Sequence, residues 1–281
     1  MVNNCLFIIN SFARKGKRSK KINSIIEKLK GNFSSFDIFY TNNNQGLNNY
    51  LTEQKFKYES IIVFGGDGTL HCVLNILYKL NYRPIIGYIP FGTLNDSFRN
   101  MGFKNINQSI SSIKNNNFKY LDTFLINKHT IGFYCLSCGL FSSIPARVKS
   151  QKKKICGRFA YYFEAIKDLF KKRKVKILLN KKIEICVPFL FLLNGKYMAG
   201  FKMDKKSSLT DGNISLFYSK KNRLFKGLLN YFIFRKNLTI ISDKHFSFKL
   251  VDCNNFNVDG EAFTANEIDV EVLKNAFKFY C

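Results

Sequence analysis

Ser60-Ile61-Ile62-Val63-Phe64-Gly65-Gly66-Asp67-Gly68-Thr69-Leu70 is the stretch whose reading decides the fold. Ile61–Phe64 is a continuous apolar run of strand length, as expected for a parallel strand buried on both faces. Two glycines, an aspartate and a third glycine then turn the chain. From Leu70 to Leu80 the apolar residues Val73, Leu74, Ile76 and Leu77 recur at helical spacing. Strand, glycine turn, helix is the geometry that brings free backbone N–H groups and a positive helix end close to a phosphate. An Asp inside such a turn repels phosphate unless a divalent cation lies between them, so Asp67 points to Mg²⁺ bridging to a nucleotide. The loop fits neither G-x-x-x-x-G-K-[ST] nor G-x-G-x-x-G. Its competing reading is structural: a tight turn whose Asp caps the next helix.

Outward from this loop the first half alternates strands and helices. Strands are expected over Cys5–Ile9, Phe36–Tyr40, Ile61–Phe64 and Pro84–Ile89, and helices over Lys20–Lys30, Gly46–Gln54 and Leu70–Leu80. That order implies a parallel sheet covered by helices. Beyond Leu121 the pattern changes to short runs between turn signals, at Leu121–Asn127, Ile131–Leu140, Val175–Leu179, Ile183–Phe191, Gly212–Tyr218, Leu238–Ile241, Phe246–Leu250 and Phe256–Val258. These read as antiparallel sheets packed as a sandwich, interrupted by helices near Cys156–Lys171 and Arg223–Phe234. Glu267–Tyr280 alternates again as strand. The fold class is therefore α/β: an N-terminal three-layer domain with a parallel sheet over 1–122, completed by 264–281, and a C-terminal antiparallel β-sandwich over 123–263.

A second loop, Pro90-Phe91-Gly92-Thr93-Leu94-Asn95-Asp96, leaves the next parallel strand. Sites in open α/β sheets form at the carboxyl ends of strands, so two such loops can line one cleft. Thr93 and Asn95 suit phosphate or ribose, and Asp96 can join Asp67 around a metal. A third feature, Asn257-Val258-Asp259-Gly260-Glu261, carries a hairpin signal. Glu261, just past it, can serve as general base. An alcohol acceptor has a high pKa and must lose its proton as it attacks phosphorus.

These three motifs, in this order, resemble the diacylglycerol kinase catalytic-domain family, which also holds sphingosine kinases and bacterial lipid kinases. Gly65–Leu70 matches the nucleotide loop, Pro90–Asp96 the P-x-G-T-x-N-D loop, and Asn257–Glu261 the V-D-G-E position. Fainter echoes lie at Asn10 with Lys15 and Lys17, at Thr41, at Leu121-Asp122, at Gly157–Tyr161, and at Asn194-Gly195 and Asp211-Gly212. The resemblance implies ATP and Mg²⁺ as cofactors. Asn10, Lys15, Thr41, Gly65, Gly66, Gly68, Thr69, Gly92, Thr93 and Asn95 would contact the nucleotide. Asp67, Asp96, Asp122 and Glu261 would form a carboxylate network around the catalytic metal, with Asp211 at a separate structural Mg²⁺ site. Ser11 stands where Pro is usual, Arg14 where Gly is usual, Leu94 where a small residue is usual, and Ser97-Phe98 where Phe-Ala is typical.

Composition bounds the partners. Lys and Arg total 45 against 19 Asp and Glu, a formal charge of +26, which attracts polyanions. The chain is also rich in Lys, Asn, Ile and Phe, as under compositional drift, so charge alone leaves the partner class open. No zinc finger or RNP-type motif is present, and no nucleic-acid partner is expected. Lys220–Lys236 mixes basic and apolar residues in a way suited to an anionic lipid surface; its plainer reading is a helix packed on the sandwich. No stretch has the ~18–20 apolar residues that span a bilayer. The opening apolar run, Cys5–Ile9, is shorter than a secretory h-region. The eight cysteines include one C-x-x-C, Cys135 to Cys138, without the second pair a zinc site needs. A cytoplasmic protein with reduced thiols, peripheral at the inner membrane face, is expected. The acceptor hydroxyl is expected on diacylglycerol, with other lipids (a sphingoid base, phosphatidylglycerol) and NAD as rival acceptors, and a non-catalytic anionic-lipid binder as the rival class. A homodimer is compatible with the sequence but not readable from it.

Overall fold

The computed structural model describes residues 2–14, 17–139, 175–180, 183–218, 238–250 and 254–281. Two compact units divide the chain: Met1–Thr123 with Lys274–Cys281, and Phe124–Leu273.

The first unit runs β1 (Val2–Asn10), a 3-10 turn over Ser11–Arg14, α1 (Lys17–Lys30), β2 (Phe33–Thr41), α2 (Asn44–Glu53), β3 (Ser60–Gly65), α3 (Asp67–Lys79), β4 (Ile85–Pro90), α4 (Asp96–Asn100), α5 (Ile106–Lys114) and β5 (Phe118–Ile126), whose last residues belong to the second unit. The sheet order is β2-β1-β3-β4, all parallel. Every residue of β3 is buried, as its unbroken apolar sequence requires. Ile22, Ile25, Ile26 and Leu29 of α1 pack into one core cluster with Phe7, Ile62 and Phe64. The helical spacing read along Lys20–Lys30 is thus the spacing of a core-facing stripe.

Two helices went unread in the sequence. α5 carries its own signal: the Asn105 side chain accepts from Gln108 N at 3.1 Å, and Ile110 and Ile113 turn inward. α4 is a single short turn, and only tertiary contacts, described below, hold its start.

The second unit contains β6 (Thr130–Gly132), β7 (Cys135–Gly139), β8 (Val175–Leu179), β9 (Ile183–Val187), β10 (Phe189–Leu193), β11 (Tyr197–Met198), β12 (Phe201–Lys202), β13 (Ile214–Tyr218), β14 (Thr239–Asp243), β15 (His245–Leu250), β16 (Asn255–Val258), β17 (Glu261–Thr264) and the first part of β18 (Glu267–Tyr280). One antiparallel sheet has the order β14-β13-β10-β7-β16-β17. In the other, β18 pairs with β15, β15 with β8 and β8 with β9. Phe246, Phe248, Ile268 and Val270 from the latter meet Leu136, Leu190, Leu216 and Val258 from the former in one core. This is the sandwich expected from the sequence.

Two runs read as single strands are each broken, for different reasons. Ile183–Phe191 divides at Pro188, which has no N–H to give to a ladder, and its halves enter different sheets. Ile131–Leu140 divides at Phe133 and Tyr134, whose N–H groups go to the Asp259 carboxylate instead of to a strand. The helices expected near 156–171 and 223–234 lie outside the described residues. The final part of β18, from Lys274, returns to the first unit, where Phe279 pairs with Ile86.

Candidate active site

The register of the parallel sheet aligns the candidate residues before any side chain is considered. Asn10 pairs with Thr41, Gly65 pairs with Pro90, and Ile9 pairs with Phe64, one residue short of Asn10 and Gly65. Thr41, Asn10, Gly65 and Pro90 therefore end four adjacent strands in one row at the carboxyl edge of the sheet.

From that row the first loop rises as Gly65–Gly68. Helix α3 begins at Asp67, three residues earlier than its apolar spacing suggests, because Gly66 O already accepts from Thr69 N at 3.0 Å and Leu70 N at 3.2 Å. Gly66 is the N-cap and has no side chain to offer. Asp67 is therefore not the cap of its own helix. Its carboxylate instead caps α4: Oδ2 accepts from Asp96 N at 3.2 Å and Oδ1 from Ser97 N at 3.0 Å. The Asp of the first loop thus holds the second loop by the start of its helix.

Backbone contact completes the lock. A Cβ on Gly92 would stand 2.7 Å from the Gly66 Cα and 2.6 Å from Asn95 Oδ1. Asn95 adopts the left-handed conformation (φ 55), which asparagine tolerates well, and its Nδ2 donates to Gly92 O at 3.2 Å. Its Oδ1 is buried and accepts no hydrogen bond. A G92A substitution should push the loops apart, because the obstructing atom belongs to backbone and cannot swing away. We expect a loss of about 1–3 kcal/mol in denaturant unfolding together with at least tenfold weaker nucleotide binding by calorimetry; unchanged binding would show that the loop contact is incidental.

Asp96 is fully buried, and Arg99 Nη1 lies 3.2 Å from its Oδ1. Two carboxylates so close raise one another's cost of ionisation. Burial first, and the neighbouring Asp96 second, push the Asp67 pKa up to about 6, against the lowering effect of the Ser97 and Asp96 donors. The pair plus the orphaned Asn95 oxygen is an oxygen-rich, electron-rich corner. Such a donor set suits Mg²⁺, which takes one or two carboxylates and completes its shell with phosphate and water.

The other predicted residues fall as follows. Asn10 Nδ2 donates to Thr69 Oγ1 at 2.8 Å, and its Oδ1 accepts from Phe12 N at 2.9 Å. Thr41 is buried and its hydroxyl donates to Asn43 O at 2.9 Å. Thr93 sits in the second loop, half-buried, and Gly68 in the first turn of α3. Asp122 is buried on β5, where Oδ1 accepts from Asn275 N at 2.8 Å; it does not join Asp67 and Asp96, and no group of three or more His, Cys, Asp or Glu side chains is close enough to hold a metal ion among the described residues. Asp211 lies in an exposed turn and accepts from Ser208 N at 2.7 Å and Asn213 N at 2.9 Å. Lys15 and the segment 220–236 lie outside the described residues.

In the second unit Glu261 is exposed and opens β17, facing Val258 across the Asp259-Gly260 turn. Both turn residues have positive φ (52 and 97), the two-residue hairpin turn that Asp-Gly favours. Asp259, read from sequence only as part of that turn, is buried, and its carboxylate accepts from Phe133 N at 2.6 Å, Tyr134 N at 2.9 Å and Cys135 N at 3.0 Å. No sequence signal distinguishes it, since its partners lie more than a hundred residues away.

A parallel sheet whose strand ends carry two interlocked glycine loops and a carboxylate pair is thus followed in the chain by an antiparallel sandwich. Residues 4–126 match the diacylglycerol kinase catalytic domain. Relatives agree. A diacylglycerol kinase of Bacillus subtilis (strain 168) is 31% identical over 179 residues, covering 60% of this chain and 57% of the relative. A provisionally assigned lipid kinase of Staphylococcus carnosus (strain TM300) is 23% identical over 234 residues, 79% of this chain and 76% of the relative. The match thus spans little more than half the length of the Bacillus subtilis enzyme. A crystal structure of a provisionally assigned diacylglycerol kinase from Bacillus anthracis str. Sterne superposes with a TM-score of 0.82 at 25% identity, covering 99% of this chain and 94% of that one. Among the described residues no helix is long and apolar enough to cross a membrane.

Proposed function

We propose that the protein moves the γ-phosphate of ATP onto the hydroxyl of diacylglycerol at a membrane surface. The observation that carries this reading is the interlock of the two glycine loops through Asp67, which keeps the Asp67 and Asp96 carboxylates together at the start of α3. Free N–H groups at the start of α3 would hold the nucleotide phosphates, with Asn10 fixing Thr69 beside them. Asp67, Asp96 and the Asn95 amide oxygen are the groups that would hold Mg²⁺, which when bound neutralises charge on the transferring phosphate. Glu261 would take the proton of the attacking hydroxyl. The cationic surface of the chain supports a peripheral contact with anionic lipid on the cytoplasmic side.

The test is transfer of labelled γ-phosphate from Mg-ATP to lipids in mixed micelles, with NAD in a parallel reaction. Labelled phosphatidic acid is the expected product. Label on another lipid alone would move the acceptor, label on NAD would move the protein to a different kinase class, and no label would leave a binding protein.

The metal reading has its own pH signature. The folded-state pKa of Asp67, about 6, lies above its ordinary 3.8. Through this group the metal-free protein loses stability as pH rises from about 4 to about 6, since the folded state holds the proton more tightly. A cation at the same carboxylate competes with that proton. The rise in melting temperature given by millimolar Mg²⁺ should be small at pH 5, grow through pH 6 and level off by pH 7.5. A Mg²⁺ effect independent of pH over this range would remove Asp67 from the ligand set.

A further inference from the structure

We infer that Phe12 is the platform on which the nucleotide base stacks, an inference that rests on the nucleotide reading of the Gly65–Gly68 loop. Phe12 is 67% exposed, in the turn that follows β1. Single exposed apolar residues need no explanation by themselves. Three observations make this one different.

First, its place is fixed relative to the phosphate loop. Phe12 N donates to Asn10 Oδ1 at 2.9 Å, and the same Asn10 side chain donates to Thr69 Oγ1 at 2.8 Å. One asparagine thus ties the Phe12 backbone to the first turn of α3. Second, the strand register leaves the base one direction to go. On the β4 side of Gly65–Gly68 the space is filled by the second loop, with Gly92 packed backbone to backbone on Gly66. On the β1 side, one strand spacing of about 5 Å away, stands the turn bearing Phe12. A nucleotide whose phosphates lie over the glycine loop therefore extends its ribose and base toward that turn. Third, the strand-end residue next to it offers no hydroxyl. Thr41 is buried with its hydroxyl donated to Asn43 O at 2.9 Å, and of the two exposed aromatic side chains on that side, Phe12 at 67% and Tyr40 at 38%, the Phe12 ring offers the larger open face. An aromatic face holds any base by stacking and asks for no hydrogen-bond pattern, so it binds purine triphosphates with little discrimination among them.

The chain contains no tryptophan, so F12W introduces a single emitter at the site. Three ligands would be titrated: Mg-ATP, Mg-GTP and Mg-tripolyphosphate, with binding measured by calorimetry and tryptophan emission followed in parallel. Both nucleotides should bind F12W and quench its emission. Tripolyphosphate should bind without quenching. F12L, which keeps apolar bulk but removes the ring, should weaken ATP on the order of tenfold and leave tripolyphosphate unchanged. Calorimetric binding of ATP with no change in F12W emission, or equal ATP affinity in F12L, would overturn the assignment while leaving the phosphate loop intact. Binding of none of the three ligands to the wild type would overturn the nucleotide reading itself, and this inference with it.

Discussion

D67A should lose phosphotransfer by about a thousandfold or more in kcat, because the carboxylate nearest the phosphate loop is the charge that would position the metal. The structure adds a second consequence. Both Asp67 oxygens accept backbone N–H groups at the start of α4, at 3.2 and 3.0 Å. Removing them orphans two helix-end donors, each costing about 1 kcal/mol or somewhat more. Against this stands a relief: burial and Asp96 raise the Asp67 pKa to about 6, so at pH 7.5 the wild type carries the cost of an ionised, poorly solvated group. The two effects oppose one another. The expected net is a destabilisation of only about 1 kcal/mol, read by urea unfolding, beside a very large loss of turnover. D67N keeps one acceptor and should fold like the wild type while remaining inactive. Turnover by D67A within tenfold of the wild type would sink the proposed scheme.

The largest stability loss should come from a residue that touches no substrate. D259A removes one buried carboxylate that accepts three backbone N–H groups, from Phe133, Tyr134 and Cys135. Those donors are buried at the corner where β6 gives way to β7. Unsatisfied buried donors cost roughly 1–3 kcal/mol each, and charge-assisted bonds lie at the upper end. A loss of at least about 4 kcal/mol is expected, which in a unit of this size lowers the melting temperature on the order of 10 °C. D259N, with a single acceptor oxygen, should fall between. E261Q, two residues on and exposed, should leave stability within about 0.5 kcal/mol and abolish transfer, as the proposed base. The contrast separates scaffold from chemistry inside one five-residue motif. A D259A protein as stable as the wild type would mean that the corner finds other acceptors.

Much of the frame is legible in the chain. The unbroken apolar run Ile61–Phe64 states that both faces of β3 are covered, and the alternation over Glu267–Tyr280 states a strand with one face buried; both follow from side-chain period alone. The three motifs are legible because each is short and contiguous. Strand breaks were less so. Pro188 was visible and its meaning general, whereas the break at Phe133 and Tyr134 depends on an acceptor far along the chain.

The sequence by itself determined which residues could do chemistry: Asp67, Asp96 and Glu261 in glycine-punctuated turns, at the ends of strands that its apolar period defines. Only the tertiary structure decided what each carboxylate touches. Asp67 caps the helix of the second loop instead of its own, Asp122 is committed to the returning strand at Asn275, and Asp259 pins a corner. The physical reason is range. Propensity and periodicity act over a few residues and can be read locally, but a carboxylate finds its donors by distance in space, and those donors are backbone N–H groups that every residue but proline carries and that no sequence pattern marks.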